Sequence, residues 1–198
     1  MGFFEEEKQI IMSQHIKKKH VYFDIGAHVG FFTILGARLV GEEGQVFAWE
    51  PVQRNFEFLN KHIKLNNFKN VTIFKDAIWD SEGEVSFSIN LDDQSMGNIS
   101  KDGNFKVKTV SLDFLFENRI IPLPDSIKID VEGSELFVLK GGKKLIEQAK
   151  PIIFLSTHGF EIHKECIEML QNWGYTVSSM ESNYSLYETD ELLAVYKE

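Results

Sequence analysis

The chain has 198 residues, 43% of them apolar, with a formal net charge of −9 and a single cysteine. This length and apolar content suit one domain with its own core, and the acidic balance argues against a nucleic-acid partner. One cysteine excludes an intramolecular disulfide. No apolar run approaches the roughly 20 residues of a membrane span and no signal-peptide pattern opens the chain, so a cytoplasmic protein without a membrane partner is expected.

Residues 1–19 read as a helical lead-in and residues 20–198 as a single domain. Phe4 to Ile16 predicts a helix with Phe4, Lys8, Ile11 and His15 on one side. That weak stripe covers either one end of a sheet or a cofactor. Lys17-Lys18-Lys19-His20 is a solvated lead-in.

Val21 to Ile25 is an apolar run of strand type, Gly26 and Gly30 permit a tight turn, and Val29 to Val40 reads as a packed helix. A glycine loop of this kind leaves backbone N–H groups of the first helical turn free and lets a ligand approach the main chain. The spacing is Asp24-x-Gly26-x-x-x-Gly30. A carboxylate before the loop suits a cationic ligand end, such as the amino group or sulfonium of S-adenosylmethionine (SAM), by direct or water-mediated contact. A diphosphate wants no anion there.

Val46 to Trp49 is the second strand, and Glu50 at its end suits both ribose hydroxyls of an adenosine. Glu50 follows Gly30 by about 20 residues, the distance expected when one helix joins two adjacent parallel strands. By spacing alone a nicotinamide cofactor fits Glu50 equally well. Pro51 opens the next helix, Val52 to Asn66, with Phe56, Leu59 and Ile63 at helical spacing.

Val71 to Phe74 is a third strand, giving a mostly parallel sheet. Asp76 and Ala77 follow it and are candidates for the adenine edge, with an ordinary turn acid as the equal alternative. Trp79 is a candidate lid or substrate-side aromatic. A turn at Asp80 to Glu84 precedes the alternating Val85, Phe87 and Ile89, and later Phe105, Val107 and Val110, which predict antiparallel additions. Between them Leu91 to Asn104 is a polar loop carrying Asp92, Asp93, Ser95, Met96, Asn98 and Ser100, the candidate acceptor-contact region. Ser111 reads as the N-cap of a short helix.

Ile127-Lys128-Ile129-Asp130 is a strand running into Gly133 and a Ser134-capped helix that begins at Glu135. Lys128, Asp130, Glu132 and Glu135 therefore gather at one strand-to-helix corner. One carboxylate there suits the removal of a proton from a substrate hydroxyl, and another the holding of substrate or of a cofactor's methionine portion. Gly141-Gly142 interrupts the helix, and Ile152 to Leu155 is a fifth strand ending in Ser156-Thr157-His158. His158 points into the same crevice as Asp130 and is a general-base candidate. Glu161 to Trp173 forms a helix with Ile162, Cys166, Met169, Leu170 and Trp173 on its apolar face, Cys166 buried and inert, and His163 structural. Tyr175 to Ser179 and Leu192 to Tyr196 close the chain as a hairpin, so one strand of the sheet is reversed.

In these stretches the chain resembles the FkbM-type family of SAM-dependent methyltransferases. The matching pieces are Phe23-Asp24-Ile25-Gly26-Ala27-His28-Val29-Gly30, Ala48-Trp49-Glu50-Pro51, Leu65-Asn66, Ile127-Lys128-Ile129-Asp130-Val131-Glu132-Gly133-Ser134-Glu135 with Val138-Leu139-Lys140-Gly141, and Pro151 with its strand. The Ile-Lys-Ile-Asp-Val-Glu-Gly-x-Glu run is the most specific. The resemblance implies an α/β, Rossmann-like class I methyltransferase fold: a mostly parallel seven-stranded sheet with a reversed C-terminal strand and helices on both faces. It implies SAM contacts from Asp24, Gly26, Gly30 and Glu50, and methyl transfer to a hydroxyl oxygen of a small acceptor such as a sugar or secondary metabolite. It also puts Asp130 and Glu132 beside the transferred methyl, with His158 matching a family histidine.

Two departures stand out. His28 replaces a frequent Asn and suggests an altered methionine-side contact, and Ser156 replaces a frequent acid. No ligand spacing is specific enough to assign a metal, although Asp130, Glu132 and His158 together offer an oxygen-rich set. A nicotinamide-dependent oxidoreductase and a non-catalytic nucleoside-binding module are the rival readings, and oligomeric state is not legible.

Overall fold

A computed structural model of the chain describes residues 4–89, 97–99 and 105–197. Helix α1 (Glu6–His15) leads into β1 (Val21–Ile25), α2 (Phe31–Val40), β2 (Gln45–Trp49), α3 (Gln53–Leu65) and β3 (Val71–Phe74). The short β4 (Ala77–Ile78), then β5 (Gly83–Ile89), β6 (Gly97–Ile99), β7 (Phe105–Val110) and α4 (Leu112–Glu117) follow. The second half runs through β8 (Ser126–Ile129), α5 (Glu135–Gly141), α6 (Lys143–Ala149), β9 (Ile152–Ser156), α7 (Phe160–Asn172), β10 (Tyr175–Ser179) and β11 (Glu191–Tyr196).

The main sheet has seven strands in the order β10-β11-β9-β8-β1-β2-β3. Strands β9, β8, β1, β2 and β3 pair in parallel, and β11 runs antiparallel to both β9 and β10. A hairpin without a crossover helix forces that reversal, because parallel neighbours need a long connection. β11 therefore fills a slot inside the edge strand β10. This is the class I methyltransferase arrangement expected from the resemblance.

Strands buried on both faces read as continuous apolar runs, and alternate residues divide between two layers. Phe23, Ile25, Ile127, Ile129, Ile153 and Leu155 face α5, α6 and α7 through Val138, Leu139, Ile146, Cys166 and Leu170. Tyr22, Val46 and Phe154 point the other way, onto Phe32, Ala37 and Val40 of α2 and onto Met12 and Ile16 at the end of the lead-in. Each fully buried aliphatic side chain contributes about 1.5–3 kcal/mol. The lead-in helix is thus part of the second layer.

The antiparallel additions form a sheet of their own, in the order β4-β7-β5-β6, with β4 pairing in parallel to β7. Trp79, the lid or substrate-side candidate just after β4, is not among the described residues lining the cavity. Its ring stacks on Phe137 with centroids 3.9 Å apart, and its carbonyl oxygen lies 1.9 Å from where a Cβ on Gly141 would stand. The aromatic is thus locked against α5. Most of the acceptor-loop candidate at 91–104 lies outside the described residues.

The order of strands changes direction between β8 and β1, and ligands in open α/β sheets lie beyond the strand C-termini at such a point. The candidate site is built there.

Candidate active site

β1 ends at Ile25, and the chain turns at Gly26 with φ +79°. A Cβ at Gly26 would stand 1.8 Å from the Asp130 carbonyl oxygen, so the ends of β1 and β8 abut as only glycine allows. The Gly26 and Ala27 N–H groups both donate to the Trp49 carbonyl, at 3.1 and 2.9 Å, which ties the loop to β2. Gly30 has φ +97° at the start of α2 and packs against Leu59.

A cavity of about 730 Å³ opens over these ends, a size suited to a cofactor with a small second ligand. Of the candidate residues, Gly26, His28, Glu50, Asp76, Ala77, Asp130, Glu132 and His158 all line it. Neither Asp24 nor Gly30 is among the described residues that do. Gly30 supplies the turn geometry instead.

Asp24 differs from expectation for a reason of register. β1 and β8 pair with Asp24 beside Lys128, and the Asp24 side chain is sealed from solvent. Its Oδ1 lies 3.1 Å from the Lys128 ammonium, and its Oδ2 accepts a 2.5 Å hydrogen bond from Thr33. The cation it faces belongs to the protein. Lys128 also donates to the Gly26 carbonyl at 3.0 Å and lies 3.6 Å from Asp130 Oδ2. Burial opposes its charge, but Asp24 and Asp130 outweigh burial and hold its pKa above the ordinary lysine range.

Glu50 is 5% exposed, with Oε2 accepting from the His28 N–H at 2.8 Å and Oε1 from the Val52 N–H at 2.9 Å. Burial pushes its carboxyl up to about 6, against the opposing pull of those bonds, an Asn55 side-chain bond and Lys128. His28 has φ +51° and an exposed side chain at the rim.

At the opposite end of the cavity His158 donates from Nδ1 to Glu135 Oε1 at 2.7 Å. Its Nε2 lies 3.5 Å from Glu132 Oε2 and 3.9 Å from Asp130 Oδ1. The Glu135 bond outweighs burial and, with the charges of Glu132, Glu135 and Asp130, raises His158 to about 9. It is an imidazolium at neutral pH. Burial alone would raise the Asp130 carboxyl, but Lys128, Lys8 and His158 pull it below its ordinary value. Glu135 also changes the local helix start: its Oε1 accepts from the Gly133 N–H at 3.0 Å, and Ser134 makes no side-chain cap bond.

Asp130, Glu132 and His158 each bring a donor atom within 4.8 Å of the others, close enough to share a divalent cation. Lys128, and Lys8 at 4.0 Å, already supply positive charge beside Asp130. We assign no metal.

Lys8 is the main residue that sequence reasoning missed. It was legible only as a polar member of the weak α1 stripe. In the fold it is buried and donates to Ser156 Oγ at 2.7 Å, Glu5 Oε2 at 2.8 Å and Glu191 Oε1 at 3.2 Å. Phe4, Glu5, Ser156 and Glu191 join the cavity wall as a result. His163 is structural, as expected: its Nε2 donates to the Leu186 carbonyl at 2.8 Å and its Nδ1 accepts from Thr157 at 2.7 Å. The Cys166 thiol is pushed up to about 12, chiefly by burial, which agrees with an inert core cysteine.

The parallel sheet, the reversed β11 and the glycine loop at the end of β1 build the Rossmann-like class I methyltransferase fold. The chain belongs to the methyltransferase FkbM domain family, whose model matches residues 24–177. It is 27% identical over 150 residues to the hexuronic acid methyltransferase AglP of Haloferax volcanii, a match covering 75% of this chain and 61% of that protein. The crystal structure of methyltransferase FkbM from Methylobacillus flagellatus KT aligns with a TM-score of 0.67 at 18% identity, covering 90% of this chain and 44% of the other. A SAM-dependent O-methyltransferase from Thermotoga maritima aligns with a TM-score of 0.59 at 14% identity, covering all of this chain and 67% of that one. The two structural likenesses establish the fold.

Proposed function

We propose that the cavity binds SAM and that the chain transfers its methyl group to a hydroxyl oxygen of a small acceptor, a sugar being the favoured class. One observation carries the reading: the Gly26 loop and the buried Glu50 line the same cavity whose other end holds Asp130, Glu132 and His158. Family membership supports methyl transfer, and a sugar-acid methyltransferase among the relatives supports the acceptor class. Residues 20–198 act as the transfer domain in this reading, with 1–19 completing its wall. No described helix is long and apolar enough to cross a membrane.

The residues suit SAM. Glu50, held by the His28 and Val52 N–H groups, offers carboxylate lone pairs to ribose hydroxyls, and Asp76 and Ala77, which line the same cavity, are the groups assigned to an adenine edge in this reading. Gly26 lets a ligand lie on the main chain. SAM, when bound, supplies a methyl already activated by the sulfonium charge. The protein's share is alignment and the removal of one proton.

Asp130 and His158 are the groups within reach for that proton. In the free protein Asp130 is an ionised but weakly basic carboxylate, and His158 already carries its proton. Asp130, ionised at neutral pH, is therefore the group free to take the proton, and His158 can take it only after giving up its own, with Glu132 and Glu135 orienting the ring.

Calorimetry with SAM and S-adenosylhomocysteine (SAH) tests the reading. Micromolar binding is expected, lost in Glu50→Ala and weakening as pH falls through about 6, where Glu50 takes up a proton. Absence of binding by the folded wild type would overturn it.

A further inference from the structure

Resting on the methyl-transfer reading, we infer that the acceptor carries a protonated amine near its reacting hydroxyl, as an amino sugar does, and that a carboxylate-bearing acceptor is rejected. At the end of the cavity away from Glu50, each cation is shared among several carboxylates. Lys8 is shared by Glu5 at 2.8 Å and Glu191 at 3.0 Å, with Asp130 at 4.0 Å. Lys128 is shared by Asp24 at 3.1 Å and Asp130 at 3.6 Å. His158 is shared by Glu135 at 2.7 Å, Glu132 at 3.5 Å and Asp130 at 3.9 Å.

Every cation among these described residues therefore already serves two or more carboxylates. None is left for an anion on the acceptor. The carboxylates themselves stay open: the side chains of Glu191, Asp130, Glu5 and Glu132 keep between 23% and 36% of their exposure. A carboxylate entering here loses water among like charges and gains no partner, which is a strong element of rejection. An ammonium group finds several acceptors at once. Burial raises the Glu191 carboxyl against the pull of Lys8, and Glu5 adds a smaller rise.

Glu5, Lys8 and Glu191 all lie outside residues 24–177, the span shared with the family. The wall that discriminates by charge is contributed by the start of α1 and by β11, outside the matched span. The small hydroxyls of Ser156 and the flat ring of Phe4 complete that wall without adding a positive charge.

D-glucosamine, D-glucose and D-glucuronate test the inference, because they present a cationic, a neutral and an anionic substituent on similar rings. The full chain is first shown to bind SAH; failure at that step overturns the methyl-transfer reading instead. Affinities of the three sugars for the SAH-loaded protein are then measured by calorimetry at neutral pH and low salt. Glucosamine is expected to bind at least about tenfold more tightly than glucuronate, with glucose between them. Glu5→Gln and Glu191→Gln, each checked for folding and SAH occupancy, are expected to narrow that gap. Equal or tighter binding of glucuronate, a gap that neither variant changes, or no binding of any of the three overturns the inference.

Discussion

His158 combines a legible position with an illegible state. The end of a parallel strand suggested a base facing Asp130, and it does face Asp130, but Glu135 approaches its other nitrogen from the next helix start. A sequence reading has no means of weighing these carboxylates against burial: the Glu135 bond, with the charges of Glu132, Glu135 and Asp130, raises the ring to about 9 from its ordinary 6.5. A histidine whose folded pKa is raised contributes stability that is fully present below the unfolded pKa and is lost as pH rises through the folded one. The difference in urea midpoint between wild type and His158→Ala is therefore expected to be constant below about pH 6.5 and to shrink as pH approaches about 9. A difference that stays flat across that window would show that the imidazolium network contributes nothing. Asp24 carries the complementary lesson. Its carboxylate was legible as a partner for a cation, and the cation is Lys128 of the neighbouring strand.

At the scale of elements, the strand-loop-helix units followed from apolar runs and glycines, and their observed bounds differ from the reading by a residue or two at most positions. Local contacts account for the differences: Ser134 makes no side-chain cap bond and Glu135 instead accepts from the Gly133 N–H, and Trp79 stacks on Phe137. The two loop glycines separate into different roles, which substitution can distinguish. Gly26→Ala adds positive-φ strain of roughly 1–2 kcal/mol to a collision with the Asp130 carbonyl, a backbone atom that cannot turn aside. Loss of SAH binding together with more than about 2 kcal/mol of stability is expected, by calorimetry and urea unfolding. Gly30→Ala meets the Leu59 Cδ1 at 2.6 Å, the tip of a side chain that can rotate. It is expected to cost about 1–2 kcal/mol and to leave SAH binding within a few-fold. Equal loss of binding in both variants would remove the distinction.

At the scale of the whole molecule, Lys8 joins the start of the chain to its end. A residue of α1 donates to Ser156 at the end of β9 and to Glu191 at the start of β11, so the cavity wall is complete only when the lead-in docks. Lys8→Met removes one member of a buried ion cluster and leaves Glu5 and Glu191 facing each other. A loss of roughly 3–5 kcal/mol is expected, together with faster amide hydrogen exchange in α1 than in β1. Unchanged exchange in α1 would mean that Met12 and Ile16 alone hold the helix.

The sequence by itself determined the β-α-β order, the glycine turn, the acid after the second strand and the acid-rich corner at residues 130–135, because each is a pattern between near neighbours. The closing hairpin also announced a reversed strand. Only the tertiary structure decided that Asp24 is paired with Lys128, that Lys8 is buried behind the cavity wall on Ser156 and Glu191, that β11 lies inside the sheet edge, and which charges share the far wall. Those depend on register and on docking between segments more than a hundred residues apart, as the Lys8–Ser156 bond is. Charge balance in a buried site is a sum over all its neighbours, and the chain's linear order does not name them.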